Sequence, residues 1–517
     1  MKSALQDQNG QKEKLAEAFS LLSQVNREAY NNIMLLSNQV LSKNTVTNNF
    51  LPRFLQGQAA TKVSTGALLL KLTRYYFYSF KDYASYLKEI FQYLLNNAAF
   101  RPRRDKKNLI IIDTFFLLDK IIREGRLIDR HFSGLAELLE RKGLHFVYLP
   151  IFDGMKRGFS FLMALKILNE QKIPVIYEYQ MLTLTDLLRI IYFILLYPFY
   201  VLRLAYRTGL RRREGELLKH ELLDTLDQPV FRNFSRYLQG RNICRLPYEK
   251  VQVISWYENQ ALHKNLYKGL RSNPAKVKIY GAQLFLYSSN LLNINPDENE
   301  LEKKIIPDKI LVNGLAFLPA KSRLNYCIGP SLRYARIFNS QIMNYNQKNI
   351  LVLLPYFREE IENILRVVGG VDTLPGAVYI KPHPAQDIKK FGYLLPPNTI
   401  IVDNDIYKLF ETTKILIGAA SGTLLEAASL GIPVVSIKNS SYFGCNPLPE
   451  YGKGAIWEEA GSSDELSEKI NHLNYRFFND YEMIKNIAGE YKQMFFCQPT
   501  EEKVIESFDL ELVEGCA

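Results

Sequence analysis

Closely spaced cysteines are missing from this sequence. Its five cysteines, Cys244, Cys327, Cys445, Cys497 and Cys516, lie far apart, which excludes a paired-thiolate zinc site or a disulfide framework and suits a reducing cytoplasm. An apolar leader is also missing: MKSALQDQNGQKEK has no hydrophobic stretch and no small-residue cleavage site, so export is not expected. The most apolar run, Ile190–Leu202, is broken by Pro198 and falls short of the about 20 residues that cross a bilayer. Tandem repeats and low-complexity tracts are absent. Acidic residues are scarce relative to basic ones, 53 against 65, a net charge of +12. That excess favours an anionic partner, a phosphate-bearing ligand or a membrane surface. No aromatic-basic motif of the RNA-reading kind accompanies it, so nucleic acid is not expected.

What is present is an ordinary folding composition, 47% hydrophobic and 23% charged residues, over 517 residues, too many for one core. Residues 1–105 carry apolar positions at threes and fours, as in FKDYASYLKEIFQYLL, and predict helices. A basic hinge, Arg101–Lys107, leads into NLIIID. From there β-branched runs alternate with helix-length segments: NLIIID ending at Asp113, HFVYLPIFD ending at Asp153, IPVIYEY near Tyr179, VQVISW before Glu258, VKIYGAQ and KILVNG. A second series follows with NILVLLP, AVYIKPHP, TIIVD, KILIGAAS and IPVVSI. Alternation of this kind predicts an α/β fold with two Rossmann-like doubly wound domains, 106–340 and 341–500, a helical N-terminal extension 1–105 and a tail 501–517. Ligands of such sheets gather beyond the carboxyl ends of strands, and Asp113, Asp153 and Glu258 are expected there.

Two motifs in the second unit carry chemistry. In AASGTLLEAASLGIPVV, a strand runs into Ser421, Gly422 and Thr423, which open a helix whose unpaired N–H groups suit a phosphate. Glu426, one turn on, can reach a ribose hydroxyl or cap the helix. In KPHP, Lys381 supplies a positive charge, and the flanking prolines hold the loop extended so that His383 is displayed at the sheet edge.

KPHP followed by SGTLLEAASLGIPVV resembles the donor domain of GT-B glycosyltransferases of bacterial surface polysaccharide biosynthesis. Similar signatures occur in capsule transferases for Kdo and sialic acid and in transferases that polymerise glycerol phosphate from CDP-glycerol. SWYENQALHKNLYKGLR, VKIYGAQ and PDKILVNG are similar to surface carbohydrate biosynthesis proteins. The resemblance implies a donor domain at 341–500 and an acceptor domain at 106–340. His383 and Lys381 would meet the donor phosphate or leaving nucleotide, Ser421, Gly422 and Thr423 would hold phosphate, and Glu426 would meet the ribose. Many relatives with CMP or CDP donors carry a serine pair where this chain has Ser421 and Gly422, which leaves the base open. GT-B enzymes of this kind need no metal, and none is expected as a cofactor; Asp403 and Asp405 match a two-apart acidic motif only in spacing.

An inverting transfer needs a base for the acceptor hydroxyl. Glu258 is the first candidate, set against a structural carboxylate paired with Lys264; Asp113 and Asp153 share its position, or cap the following helices. His263 is read as a helix-face histidine. Arg358 either neutralises a diphosphate or is a solvated arginine opening REEIENIL. The segment 184–213, apolar with arginines at its margins, is either a peripheral membrane contact or a core helix with a solvated basic end. The expected activity is transfer of a sugar from a nucleotide-activated donor, a CMP-activated nonulosonic acid among the options, to a surface polysaccharide or lipid-linked glycan. The place expected for it is the cytoplasm, at the inner face of the membrane. The alternatives are a CDP-polyol phosphotransferase and a non-catalytic nucleotide- or glycan-binding scaffold.

Overall fold

Runs of aliphatic residues without polar interruption make strands buried on both faces, which only a parallel sheet flanked by helices accommodates. In the first unit they form β1 (Asn108–Leu117), β2 (Phe146–Asp153), β3 (Lys250–Trp256), β4 (Val277–Gln283), β5 (Lys309–Val312) and β6 (Tyr326–Ile328). These pair in the order β2-β1-β3-β4-β5-β6, parallel throughout. The second unit has β7 (Asn349–Leu353), β8 (Val378–Lys381), β9 (Ile400–Ile401), β10 (Thr413–Gly418), β11 (Val434–Ile437) and β12 (Trp457–Ala460). Their order is β12-β11-β10-β7-β8-β9, again all parallel. Both units are therefore doubly wound, with the strand order reversing between β1 and β3 and between β7 and β10, the places where such sheets open a ligand crevice. The computed structural model describes residues 2–44, 49–59, 63–96, 100–103, 105–154, 160–207, 213–287, 291–340, 347–384, 386–419, 421–438 and 446–511.

Alternation along the strands feeds two helix layers per sheet. Ile110 and Ile112 of β1 join one core while Leu109 and Ile111 join another. In β7, Leu351 and Leu353 face one side and Ile350 and Val352 the other. The N-terminal helices Lys2–Ala29 and Thr65–Leu95 belong to the first of these cores: Leu22, Val25 and Tyr86 are buried with Ile110 and Ile112. They pack with helices inserted between β2 and β3, chiefly Leu184–Arg207 and Phe231–Ile243. Phe231–Ile243 in turn lies against Ala261–Leu270 so closely that a Cβ on Gly240 would come within 2.4 Å of the Leu266 carbonyl, and one on Gly269 within 2.2 Å of the Tyr237 carbonyl. Only glycine permits that approach.

Three segments depart from the sequence expectation. IPVIYEY contributes a single bridge, Val175 to Tyr148, instead of a strand, because Tyr177 and Tyr179 turn to pack against Tyr93 of the long helix. Pro198 does not break its segment: Leu184–Arg207 is one helix of 24 residues, long and apolar enough to cross a membrane, with 39% of that stretch buried inside the protein. Residues 501–511 are not a free tail. The helix Glu501–Ser507 returns to the first sheet, burying Val504 and Phe508 in its core and placing Asp509 against Lys278 (2.7 Å) and Lys309 (3.2 Å). Residues 208–212 and 512–517 lie outside the described residues.

Candidate functional site

The second sheet places its two motifs at adjacent strand ends. Lys381 is the last residue of β8, and His383 lies two residues beyond it, its ring edge-on to Tyr356 at 5.5 Å between centroids. Burial, reinforced by the charge of Lys120, holds the His383 pKa below its ordinary value, so the ring is neutral near pH 7. A neutral imidazole still carries one N–H to donate. Lys381 donates to the Asn404 carbonyl at 2.7 Å and stands 3.9 Å from Asp403. Asp403 also meets Arg123 of the first unit at 3.5 Å, and Asp405 pairs with Arg336 at 2.7 Å while capping its own helix at the Tyr407 N–H. Both acids of the two-apart motif are thus engaged by cations.

After β10, Ser421 caps the helix Gly422–Ser429, accepting from the Thr423 N–H at 3.3 Å. The capping alternative for Ser421 is therefore realised, and it leaves the other first-turn N–H groups at the helix's positive end. Gly422 has a second reason to be glycine: a Cβ there would lie 2.8 Å from the Cβ of Leu286, which reaches over from the first unit. Glu426 is buried and accepts from the Tyr407 hydroxyl at 2.8 Å; burial raises its pKa, opposed by that bond and by Arg333. Arg358 is turned to its own helix, 2.7 Å from Glu362 and exposed, which matches the solvated-arginine alternative.

In the first sheet the three acids separate. Asp113 is corrected in placement: β1 continues to Leu117, because Thr114, Phe115 and Phe116 are themselves strand formers. Asp113 is fully buried, paired with Arg236 and bonded by the Ser255 hydroxyl at 2.6 Å. Its charge is consumed inside the fold. Asp153 does end β2, exposed, and accepts from the Gly154 N–H at 2.8 Å. Glu258 lies just past β3, half-buried, accepting from the Trp256 indole N–H at 3.0 Å and from the Gln260 amide. Burial raises its pKa, while the Trp256 bond and Arg333 oppose the rise. The Lys264 alternative is not realised, since Lys264 pairs with Glu300 at 3.3 Å and donates to Asn259. His263 is a buried capping residue, its Nδ1 accepting from the Gln260 N–H at 3.1 Å.

Between the two ends lies a set of cations that no sequence motif announces. Arg333, in the connection between the sheets, sits over the rings of Trp256 and Tyr334, 5.7 Å from each centroid. Tyr334 first, then Glu426 from the second unit and Glu258 from the first, raise its pKa further. The charge of Lys120, in the helix after β1, reaches His383, and that of Arg130 reaches Lys381. His131, its ring tilted against Trp256 at 4.3 Å, feels the charges of Arg333, Lys120 and Arg130; burial and these charges hold its pKa at about 3. The two carboxyl ends therefore confront each other across a positive field with two carboxylates at its margin. No motif marks Lys120, Arg130 or Arg333, because each is a single basic residue in a loop or short helix.

Among the described residues, His220, Glu221 and Asp224 lie close enough to share a cation. They are already met by protein cations, Arg53 at 2.6 Å from Glu221 and Lys71 at 2.8 Å from Asp224, and they lie in the helical layer away from the strand ends.

No family model and no curated protein matches the chain. Solved structures are similar to it at low identity. A UDP-GlcNAc 2-epimerase from Neisseria meningitidis bound to UDP-GlcNAc is 11% identical, covering 78% of this chain and 100% of that one with a TM-score of 0.44. MurG of Acinetobacter baumannii is 12% identical over 78% and 99%, with a TM-score of 0.40. The wall teichoic acid polymerase TagF is 10% identical over 86% and 97%, with a TM-score of 0.37. Similarity this distant assigns no activity.

Proposed function

We propose that the chain is a GT-B glycosyltransferase that moves a sugar from a nucleotide-activated donor to a surface polysaccharide or lipid-linked glycan. One observation carries the proposal: two doubly wound sheets confront each other at their carboxyl ends, with Lys381, His383, Arg333, Lys120 and the Ser421 helix end forming one cationic locus and Glu258 beside it. In this reading the donor's phosphates lie among those cations, where developing negative charge on the leaving nucleotide meets donors already in place. His383 contributes its N–H. Arg333 bridges the donor side and the acceptor side. Glu258, with its raised pKa, accepts the proton of the acceptor hydroxyl in an inverting transfer. Glu426, held by Tyr407, meets the ribose.

The test is a thermal-shift series with CMP, CDP, UDP and GDP, followed by turnover with the sugar of the preferred nucleotide, a CMP-activated nonulosonic acid first. A nucleotide at 100 times its dissociation constant should stabilise the protein by about 2.7 kcal/mol. His383→Ala should keep the fold and lose most turnover. Wild-type activity in that variant, or no shift with any of the four, removes the assignment. Phosphorus entering the acceptor would convert it to polyol-phosphate transfer.

A further inference from the structure

The long helix Thr65–Leu95 is built inside out. Its buried face carries Tyr75, Ser79, Tyr83, Tyr86 and Glu89, while Leu70, Phe77, Leu87, Phe91 and Leu94 are exposed. At about 100° per residue these exposed positions, with Phe80 and Leu95, fall in one stripe about 120° wide. Its exposed basic residues Arg74, Lys81 and Lys88 lie together along one edge of that stripe. The acids of the helix point inward instead: Asp82 and Glu89 are both held by Arg232, at 2.8 and 2.9 Å.

The helix Leu184–Arg207 repeats the arrangement beside it. Leu184, 82% exposed, begins a stripe continued by Leu188, Tyr192, Leu195, Phe199 and Tyr206, with Arg189 and Arg203 along one edge. Its one acid, Asp186, is buried and held by Arg241. The opposite face packs into the protein through Phe193, Ile194, Tyr197 and Val201. The helices run antiparallel, since Tyr76 donates to the Leu195 carbonyl (3.0 Å) and Tyr83 to the Leu187 carbonyl (3.2 Å), while Tyr75 stacks on Tyr197. Helical geometry then places each apolar stripe next to this seam and each row of cations on the outer edge. The result is one apolar face, two helices wide, with basic residues along both outer margins.

We infer that this face docks on an anionic lipid bilayer, with the two helices lying along the headgroup plane. Water does not select a surface whose exposed side is more apolar than its buried side. A face of this kind inserts shallowly, its apolar side chains entering the acyl boundary while its rim cations meet lipid phosphates. Charge selects this occupant over a second copy of the chain: a twofold contact through the same face sets basic margin against basic margin. Spanning is excluded by the packed inner side of Leu184–Arg207. The inference rests on surface chemistry alone and stands apart from the proposed transfer reaction, since its readout is binding.

The experiment is sedimentation of the full chain with phosphatidylcholine vesicles, with and without phosphatidylglycerol. Wild-type protein should pellet with the anionic vesicles, less so as salt rises. The surface variant Phe77→Ser/Phe91→Ser/Leu188→Ser/Phe199→Ser should bind about tenfold more weakly or less, and Arg74→Glu/Lys81→Glu/Lys88→Glu should lose the preference for anionic lipid. Circular dichroism of each variant should match wild type, and a variant that fails this check is replaced by its single substitutions. Protein left in the supernatant with anionic vesicles, pelleting indifferent to both sets of changes, or a dimer that the serine variant splits to monomer would each overturn the inference.

Discussion

Glu258 and Asp113 are both acids of the first sheet, and their surroundings divide their work. Asp113 faces a guanidinium inside the core, where removing either partner would leave a buried charge unpaired. Glu258 faces Trp256 and Gln260, neutral donors, with Arg333 as its nearest compensating charge, and burial raises its pKa. A raised carboxylate pKa moves a base toward the operating pH. The acid limb of the kcat/KM profile should accordingly fall at a pH above the about 4.3 of an ordinary glutamate. Glu258→Gln should lower kcat by about 10²- to 10⁴-fold and abolish that limb, with its melting temperature little changed. An unaltered pH profile in this variant would move the base elsewhere, to Asp153 in the first instance.

At the scale of elements, the loop that presents Glu258 is tied to the N-terminal segment. Asn259 holds a left-handed backbone, φ 51°, and donates to the Asn293 carbonyl and to Glu300. Asn293 returns a bond to the Glu258 carbonyl at 2.6 Å. Glu300 is shared by two lysines, Lys264 at 3.3 Å and Lys43 at 3.2 Å, all with side chains fully buried. Burial drops the Lys264 pKa to about 8. Lys43→Met removes one partner from this network and should cost about 3–5 kcal/mol in urea unfolding. Glu300→Leu strands Lys264 as well and should cost more; the double variant Lys43→Met/Glu300→Leu should cost less than the sum of the two single changes, and strict additivity would show that Lys43 and Glu300 are not coupled. The helical N-terminal region thereby acts as part of the floor beneath the candidate base.

For the whole molecule, three histidines, one buried and two half-buried, weaken the fold in acid. His131, His263 and His383 all have native pKa values below the ordinary one, burial being the first cause in each. Between about pH 6.5 and its own lower native pKa, each of these residues binds a proton when unfolded and not when folded, so the unfolded chain takes up more protons. Stability should therefore fall as pH drops from about 6.5, by up to about 1.4 kcal/mol per pH unit for each histidine, and for His131 the loss continues to about pH 3. Urea midpoints at stepped pH test this. His131→Phe should flatten the curve, and an identical slope in that variant would falsify its part in it.

The sequence by itself determined most of the strands and their carboxyl-end motifs, because β-branched runs, KPHP and the SGT helix start act through neighbours in the chain; IPVIYEY, β6 and β12 escaped it. VKIYGAQ is strand β4 from its first residue to its last, and Ser421 caps the helix expected of it. Tertiary structure alone decided the partners. Whether Asp113 faced a ligand or Arg236 depended on a helix more than a hundred positions away, and Lys120, Arg130 and Arg333 gain meaning only once the two sheets confront each other. The inverted face of Thr65–Leu95 was hidden for a related reason. Apolar spacing of three and four announces an amphipathic helix without saying which side turns inward, and that choice belongs to the tyrosines and paired acids that the rest of the fold receives.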